Sequence, residues 1–288
     1  MKQRLKESVC AAALCLMVVG AGALHAEESS VLQVGRVSGN GPITDISGPL
    51  WDGARSVKVP LQPQMVALPV NPNAATKEIT VRSVHNGEWV AFLLEWQDAS
   101  KSDVVVVDGF GDQVAVELPV DYKPDALPSP MMGDKGSHVN ILQWRAVAQL
   151  EVDMGREVTI RDLYPNAPNA DLYYTSRLPA EAAAPYRGAK GLGNPISERS
   201  GRPVLDMMAE GFSSLTVRPQ QEATGRGVYR DGMWHVVITA PMVPVGDHAP
   251  RLEPGQGTAV AFAAWDGGNK EVGSRKAWSD WVTVSLAR

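Results

Sequence analysis

The chain has 288 residues, with 27 Lys and Arg against 32 Asp and Glu, and a formal net charge of −5 at pH 7. Hydrophobic residues make up 44% and charged residues 20%, the balance of a folded globular protein rather than a disordered or collagen-like one. The acidic excess supplies no basic field, which argues against a nucleic-acid partner.

Residues 1–26 read as a secretory signal peptide. Lys2, Arg4 and Lys6 form a basic start, residues 9–20 are almost wholly apolar, and Ala21-Gly22-Ala23 and Ala26 offer small residues for cleavage. The competing reading, a membrane anchor, needs about 20 apolar residues, and this stretch is shorter. Both cysteines, Cys10 and Cys15, lie in it. Residues 27–288 therefore offer no disulfide, no thiolate nucleophile, no ligands for an iron–sulfur cluster and no covalent attachment for haem. A bound cofactor there would have no sulfur ligand but methionine.

The rest of the chain reads as all-β, an antiparallel β-sandwich forming one domain over 27–288. Residues 77–84 alternate, Asn86-Gly87 turns, and 88–96 run back as a hairpin. The apolar run 104–107 turns at Asp108-Gly109-Phe110-Gly111 into 113–120. Residues 162–213, rich in Pro, Ala, Gly, Asn and Arg, read as a long irregular insertion. Asp231-Gly232 turns residues 227–230 into 233–240. Residues 257–265 and 276–286 close the chain as a pair.

Common catalytic constellations are missing. His85, His138, His235 and His248 stand at no metal-site spacing. His235 reads as a strand histidine and His85 as a solvated one beside a turn. No Gly-x-Ser-x-Gly elbow occurs, and the Gly-rich stretches lack phosphate-loop spacing. Methionine is more suggestive. Met131-Met132-Gly133-Asp134 follows Pro128-Ser129-Pro130, where turn formers and not a periodic apolar segment surround the thioethers. Lys276 alternates with Trp278, so both face one side of the last strand. If that side is inward, burial favours the neutral amine, which can ligate a metal. The plain alternatives are a methionine that plugs the sandwich and a lysine that snorkels to solvent.

Several stretches match one family in order: Glu88-Trp89-Val90-Ala91-Phe92, Pro130-Met131-Met132-Gly133-Asp134, Asn140-Ile141-Leu142-Gln143-Trp144-Arg145-Ala146, Asp231-Gly232-Met233-Trp234, Trp265-Asp266-Gly267 and Lys276-Ala277-Trp278-Ser279-Asp280-Trp281. From about residue 80 onward the chain resembles the haem-b-binding gamma subunits of periplasmic molybdenum enzymes of the dimethyl sulfoxide reductase family. These include the ethylbenzene dehydrogenase, selenate reductase, chlorate reductase and dimethyl sulfide dehydrogenase types, with nitrite oxidoreductase gamma subunits related. The resemblance implies one noncovalent haem b between the two sheets, with a methionine and a lysine as axial ligands. The methionine falls on Met132, with Met131 as competitor, and the lysine on Lys276, with Lys270 as competitor. It further implies a non-catalytic electron-transfer subunit in the periplasm. Its partners would be a molybdenum catalytic subunit, an iron–sulfur subunit and a soluble c-type cytochrome. The departure from the family pattern is the length of the 162–213 stretch, which reads as a partner-contacting lobe. The alternative from another class is a secreted carbohydrate-binding β-sandwich that displays its tryptophans as sugar platforms. A hydrolase with a carboxylate pair ranks third, with no motif behind it.

Overall fold

In a computed structural model of the chain, the residues described are 31–166, 193–196 and 201–288. The signal peptide expected at 1–26 and much of the 162–213 insertion lie outside them. No helix among the described residues is long and apolar enough to cross a membrane.

Fourteen strands follow one another among the described residues. They are β1 (Leu32–Arg36), β2 (Val57–Pro60), β3 (Gln62–Pro63), β4 (Glu78–His85), β5 (Trp89–Gln97), β6 (Gln113–Pro119) and β7 (Val139–Arg145), then β8 (Val204–Ala209), β9 (Thr216–Val217), β10 (Thr224–Arg230), β11 (Met233–Pro241), β12 (Gly257–Trp265), β13 (Ala277–Trp278) and β14 (Val282–Leu286). Their order in space is β10-β11-β5-β4-β1-β14-β12-β6-β7-β8-β9. This ribbon folds into two facing layers at β12. Its first half, from Gly257 to Val260, pairs with β14, and its second half, from Ala261 to Trp265, pairs with β6.

The core lies between the layers. Phe92, Trp96, Trp234 and Ile238 of the first meet Val116, Leu142, Trp144 and Phe262 of the second. Trp234 touches Trp144 edge-on at 5.0 Å and stacks with Trp96 at 6.3 Å, contacts worth about 0.5–1.5 kcal/mol each beyond the area they bury. Gly227 of β10 makes room for this cluster. A Cβ there would lie 2.1 Å from the Trp144 ring. The outer face of the first layer is also covered, with Ala91, Leu93 and Val237 packed under Trp51 and its neighbours.

The architecture is the expected β-sandwich, with several local differences. β1 runs parallel to both its neighbours, β4 and β14, because the long connection over 37–77 leaves room for a crossover that a hairpin lacks. The apolar run 104–107 is no strand. It forms an isolated bridge from Val106 to Gly109, and Val107 is 89% exposed. Strand β6 pairs instead with β7 and β12. The closing stretch 276–286 divides into β13 and β14, and β8 falls within the 162–213 stretch read as irregular. The helix α1 (Ala146–Met154) directly continues β7 and ends at Gly155 with φ 64°, a backbone shape glycine adopts without cost. The family resemblance implies a cofactor between the sheets. That space is filled by the aromatic core, at the close packing typical of protein interiors.

Candidate functional site

Because strand side chains alternate, the residues of β6, β7 and β12 that do not enter the core point away from it. On this outer face of the second layer lies a cavity of about 460 Å³. Its floor is Ala115 and Glu117 of β6, Ile141 of β7, Met207 of β8, and Ala263 and Trp265 of β12. Both Met132 and Lys276 line it, and Met131 and Lys270 do not. A larger cleft of about 750 Å³, bounded by residues 119–123 and 246–258, contains neither.

The loop carrying Met132 is held in a specific shape. The Gly133 N–H donates to the Ser129 carbonyl at 2.9 Å, the Gly211 N–H to the Met132 carbonyl at 2.7 Å, and the Ser129 N–H to the Asp134 carboxylate at 2.7 Å. Met132 has φ 74°. A non-glycine residue there costs about 1–3 kcal/mol and persists only when its surroundings enforce it. Gly133 also has a positive φ, and a Cβ on it would lie 2.7 Å from the Ser137 carbonyl oxygen. The Met-Gly-Asp sequence thus has a structural reason at each position: Met132 lines the cavity, the glycine fits where no side chain can, and the aspartate closes the turn.

Lys276 stands immediately before β13 and is 8% exposed. The loop before it is closed by the buried Glu271 carboxylate, which accepts from the Asn71 and Asn269 amides and from the Ala75 and Asp266 N–H groups. The Lys276 Nζ lies 5.6 Å from the centre of the Trp265 ring. Trp278 lines the same cavity, as the alternation predicted. The Trp281 indole donates to the Pro128 carbonyl at 2.6 Å, tying the segment after Lys276 to the loop that bears Met132. Lys270 is 54% exposed and paired with Asp108.

Burial sets the charges. It lowers the Lys276 pKa, opposed by the nearby Glu117 carboxylate. It raises that of Glu117, opposed by Lys276 and by the Met132 N–H. Both shifts favour the neutral forms. Glu117 Oε1 and Trp278 Nε1 are buried without a hydrogen-bond partner. A thioether, an amine inclined to lose its proton and a largely apolar wall form a donor set suited to an iron-centred cofactor held without thiolates. The volume is within the roughly 300–1,000 Å³ of small-molecule and cofactor sites.

Sequence reasoning missed Glu117. The signal was present, since it shares the strand parity of Gln113 and Ala115, opposite to the core residues Val114, Val116 and Leu118. His235 is the strand histidine expected, with Nδ1 2.7 Å from Glu95 Oε1. His85, expected in solvent, is fully buried, and its Nε2 lies 2.9 Å from the Ala287 carbonyl. None of the eight tryptophans is exposed.

Comparison with known proteins bears on this site. A family model described as ethylbenzene dehydrogenase matches residues 48–277. Chlorate reductase subunit gamma of Ideonella dechloratans is 24% identical over 266 residues, covering 89% of this chain and 87% of the relative. A protein of Haloferax mediterranei named as a respiratory nitrate reductase heme subunit is 21% identical over 279 residues, covering 95% and 81%. Among solved structures, a family 9 carbohydrate binding module from Caldicellulosiruptor kristjanssonii in complex with glucose aligns over 90% of this chain and 97% of its own. Its TM-score is 0.41 at 8% identity, which is too low to bear on function.

Proposed function

The chain belongs to the ethylbenzene dehydrogenase family, and from that premise we propose that it is a haem-binding electron-transfer subunit of a molybdenum oxidoreductase complex. The observation that carries the reading is the meeting of Met132 and Lys276 in one largely apolar cavity. In this reading the group is a noncovalent haem b, which the Met132 thioether and the Lys276 amine would hold. Bound there, the haem supplies reversible one-electron transfer. The chain's own residues do the rest. The wall of Ala115, Ile141, Met207 and Ala263 excludes water. The turn at 129–134 presents the thioether. Burial draws the proton from Lys276 Nζ, and Glu117 stands beside it as the group able to receive that proton. With both donors used to hold the group, the subunit itself would be non-catalytic. It would pass electrons between an iron–sulfur subunit and a soluble c-type cytochrome, with the chemistry on the molybdenum subunit. The resemblance of residues 1–26 to a secretory signal supports a periplasmic location.

An absorption spectrum of the chain purified with haem available tests this. The expected result is a reduced low-spin spectrum with a b-type pyridine haemochrome, lost or converted to high spin in Met132→Ala and in Lys276→Ala. A folded chain that takes up no haem would overturn the proposal. Unchanged ligation in both variants would move the ligands to Met131 and Lys270. The sugar-binding reading predicted displayed tryptophans, and none of the eight is exposed, five being buried and Trp89, Trp278 and Trp281 half-buried.

A further inference from the structure

Three strand ends converge at one end of the sandwich, and each brings an aspartate. Asp98 follows β5, Asp112 precedes β6 and Asp266 follows β12. One carboxylate oxygen from each lies within 4.8 Å of the others. We propose that these three carboxylates bind one calcium ion that pins the two layers together at this end.

The cluster is built rather than incidental. The Asp112 carboxylate accepts from the Ser102 N–H at 2.7 Å, the Trp234 indole at 2.9 Å and the Gly267 N–H at 2.8 Å. Asp266 accepts from the Asn269 N–H at 2.9 Å, and Asp98 Oδ1 from the Ser100 N–H at 3.0 Å. The independent observation is Asp98 Oδ2. Asp98 is only 5% exposed, and this oxygen has no hydrogen-bond partner. The Trp96 indole N–H lies near enough to favour the charged carboxylate but falls short of hydrogen-bond geometry. An orphaned anionic oxygen in such a place costs several kcal/mol unless it takes up a proton or meets a cation. Ion pairs with Lys or Arg serve Asp108 and Asp103 nearby, but none is made to these three among the described residues. The neighbours that act on Asp98 by charge are themselves acidic, Asp266 and Glu271.

The donor chemistry selects the ion. The three carboxylates offer oxygen only, and the hydroxyls of Ser100 and Ser102 lie beside Gly268, at 2.5 and 3.6 Å from where its Cβ would be, with Asp266 Oδ1 at 3.1 Å. Oxygen-only sites suit hard cations, and zinc and copper prefer nitrogen or sulfur. Calcium takes about six to eight oxygens in flexible geometry and so tolerates ligands fixed by three separate strand ends, whereas magnesium demands nearly ideal octahedral bonds and keeps several waters. Asp112 and Asp266 adjoin Gln113 and Trp265, which line the cavity of the candidate haem site. An ion here would fix the ends of the two strands that floor it.

Terbium, an oxygen-seeking stand-in for calcium, tests the site through emission sensitised by the adjoining tryptophans, using the full chain stripped with chelator. We expect saturation at one ion per chain and displacement by calcium at lower concentration than by magnesium. Asp98→Asn should weaken binding at least tenfold with an unchanged far-ultraviolet circular dichroism spectrum, and Asp108→Asn should leave it intact. Should Asp98→Asn fail to fold, Asp266→Asn is read the same way. Calcium at one hundred times its Kd should raise Tm by about 5–10 °C. Absence of saturable emission, wild-type binding by the folded Asp98 or Asp266 variant, or a Tm indifferent to calcium would each overturn the proposal.

Discussion

Met132 combines strain and exposure to a cavity in one residue, which separates its chemical role from its packing role. Met132→Leu keeps nearly the same volume, so stability should change by less than about 1.5 kcal/mol. The variant nevertheless lacks a sulfur donor, and the low-spin haem spectrum should disappear. Chemical denaturation beside visible spectroscopy would detect that split; a low-spin spectrum surviving in Met132→Leu would relocate the ligand. Where strand ends of the two layers meet, burial pushes the pKa of Asp98 up to about 6 and that of Asp112 up to about 7. The folded chain then holds protons that the unfolded chain has released above the usual carboxylate range. The stability they contribute is full below about pH 4 and drains away as pH rises through 6 and 7. With chelator present, urea midpoints should fall across that window, and Asp98→Asn should flatten the decline. An undiminished slope in that variant would assign the effect to other groups.

At the scale of elements, β10 depends on its glycines. Gly227 rests against Trp144 without space for a methyl group, and its backbone is not in the left-handed region, so Gly227→Ala tests packing alone. The expected loss is about 1–3 kcal/mol by denaturant unfolding, and a neutral result would mean that the Trp144 ring can move aside. The hairpins β4–β5 and β10–β11 were legible in the sequence because Asn86-Gly87 and Asp231-Gly232 encode their turns locally. The corner in β12 was not. Its residues are small or apolar on both faces, so alternation could not reveal a strand shared by two layers. The valines at 104–107 misled for the opposite reason, since composition carries strand propensity but not the partner that a strand requires. Within the site, Met132 and Lys276 stood out because their residue types were odd for their surroundings, and the family resemblance singled them out. Glu117 stayed hidden because its meaning depends on Lys276, which is far away in sequence and adjacent only after folding.

At the scale of the whole molecule, the described part is three stacked interiors. One lies between the layers, one beneath the segment around Trp51, and a thinner one surrounds the outer cavity. The third surrounds the cavity lined by Met132 and Lys276. The resemblance implies a cofactor between the sheets, whereas Met132 and Lys276 meet on the outer face of the second layer; sequence could not distinguish the two positions, since both faces of β6, β7 and β12 carry apolar residues. This placement has a consequence for the order of events in the life of the chain. A core organised around a guest has to wait for it. Here the two layers close on their own tryptophans, so under the proposed reading the shape would form first and the haem would enter afterwards as a separate, reversible step.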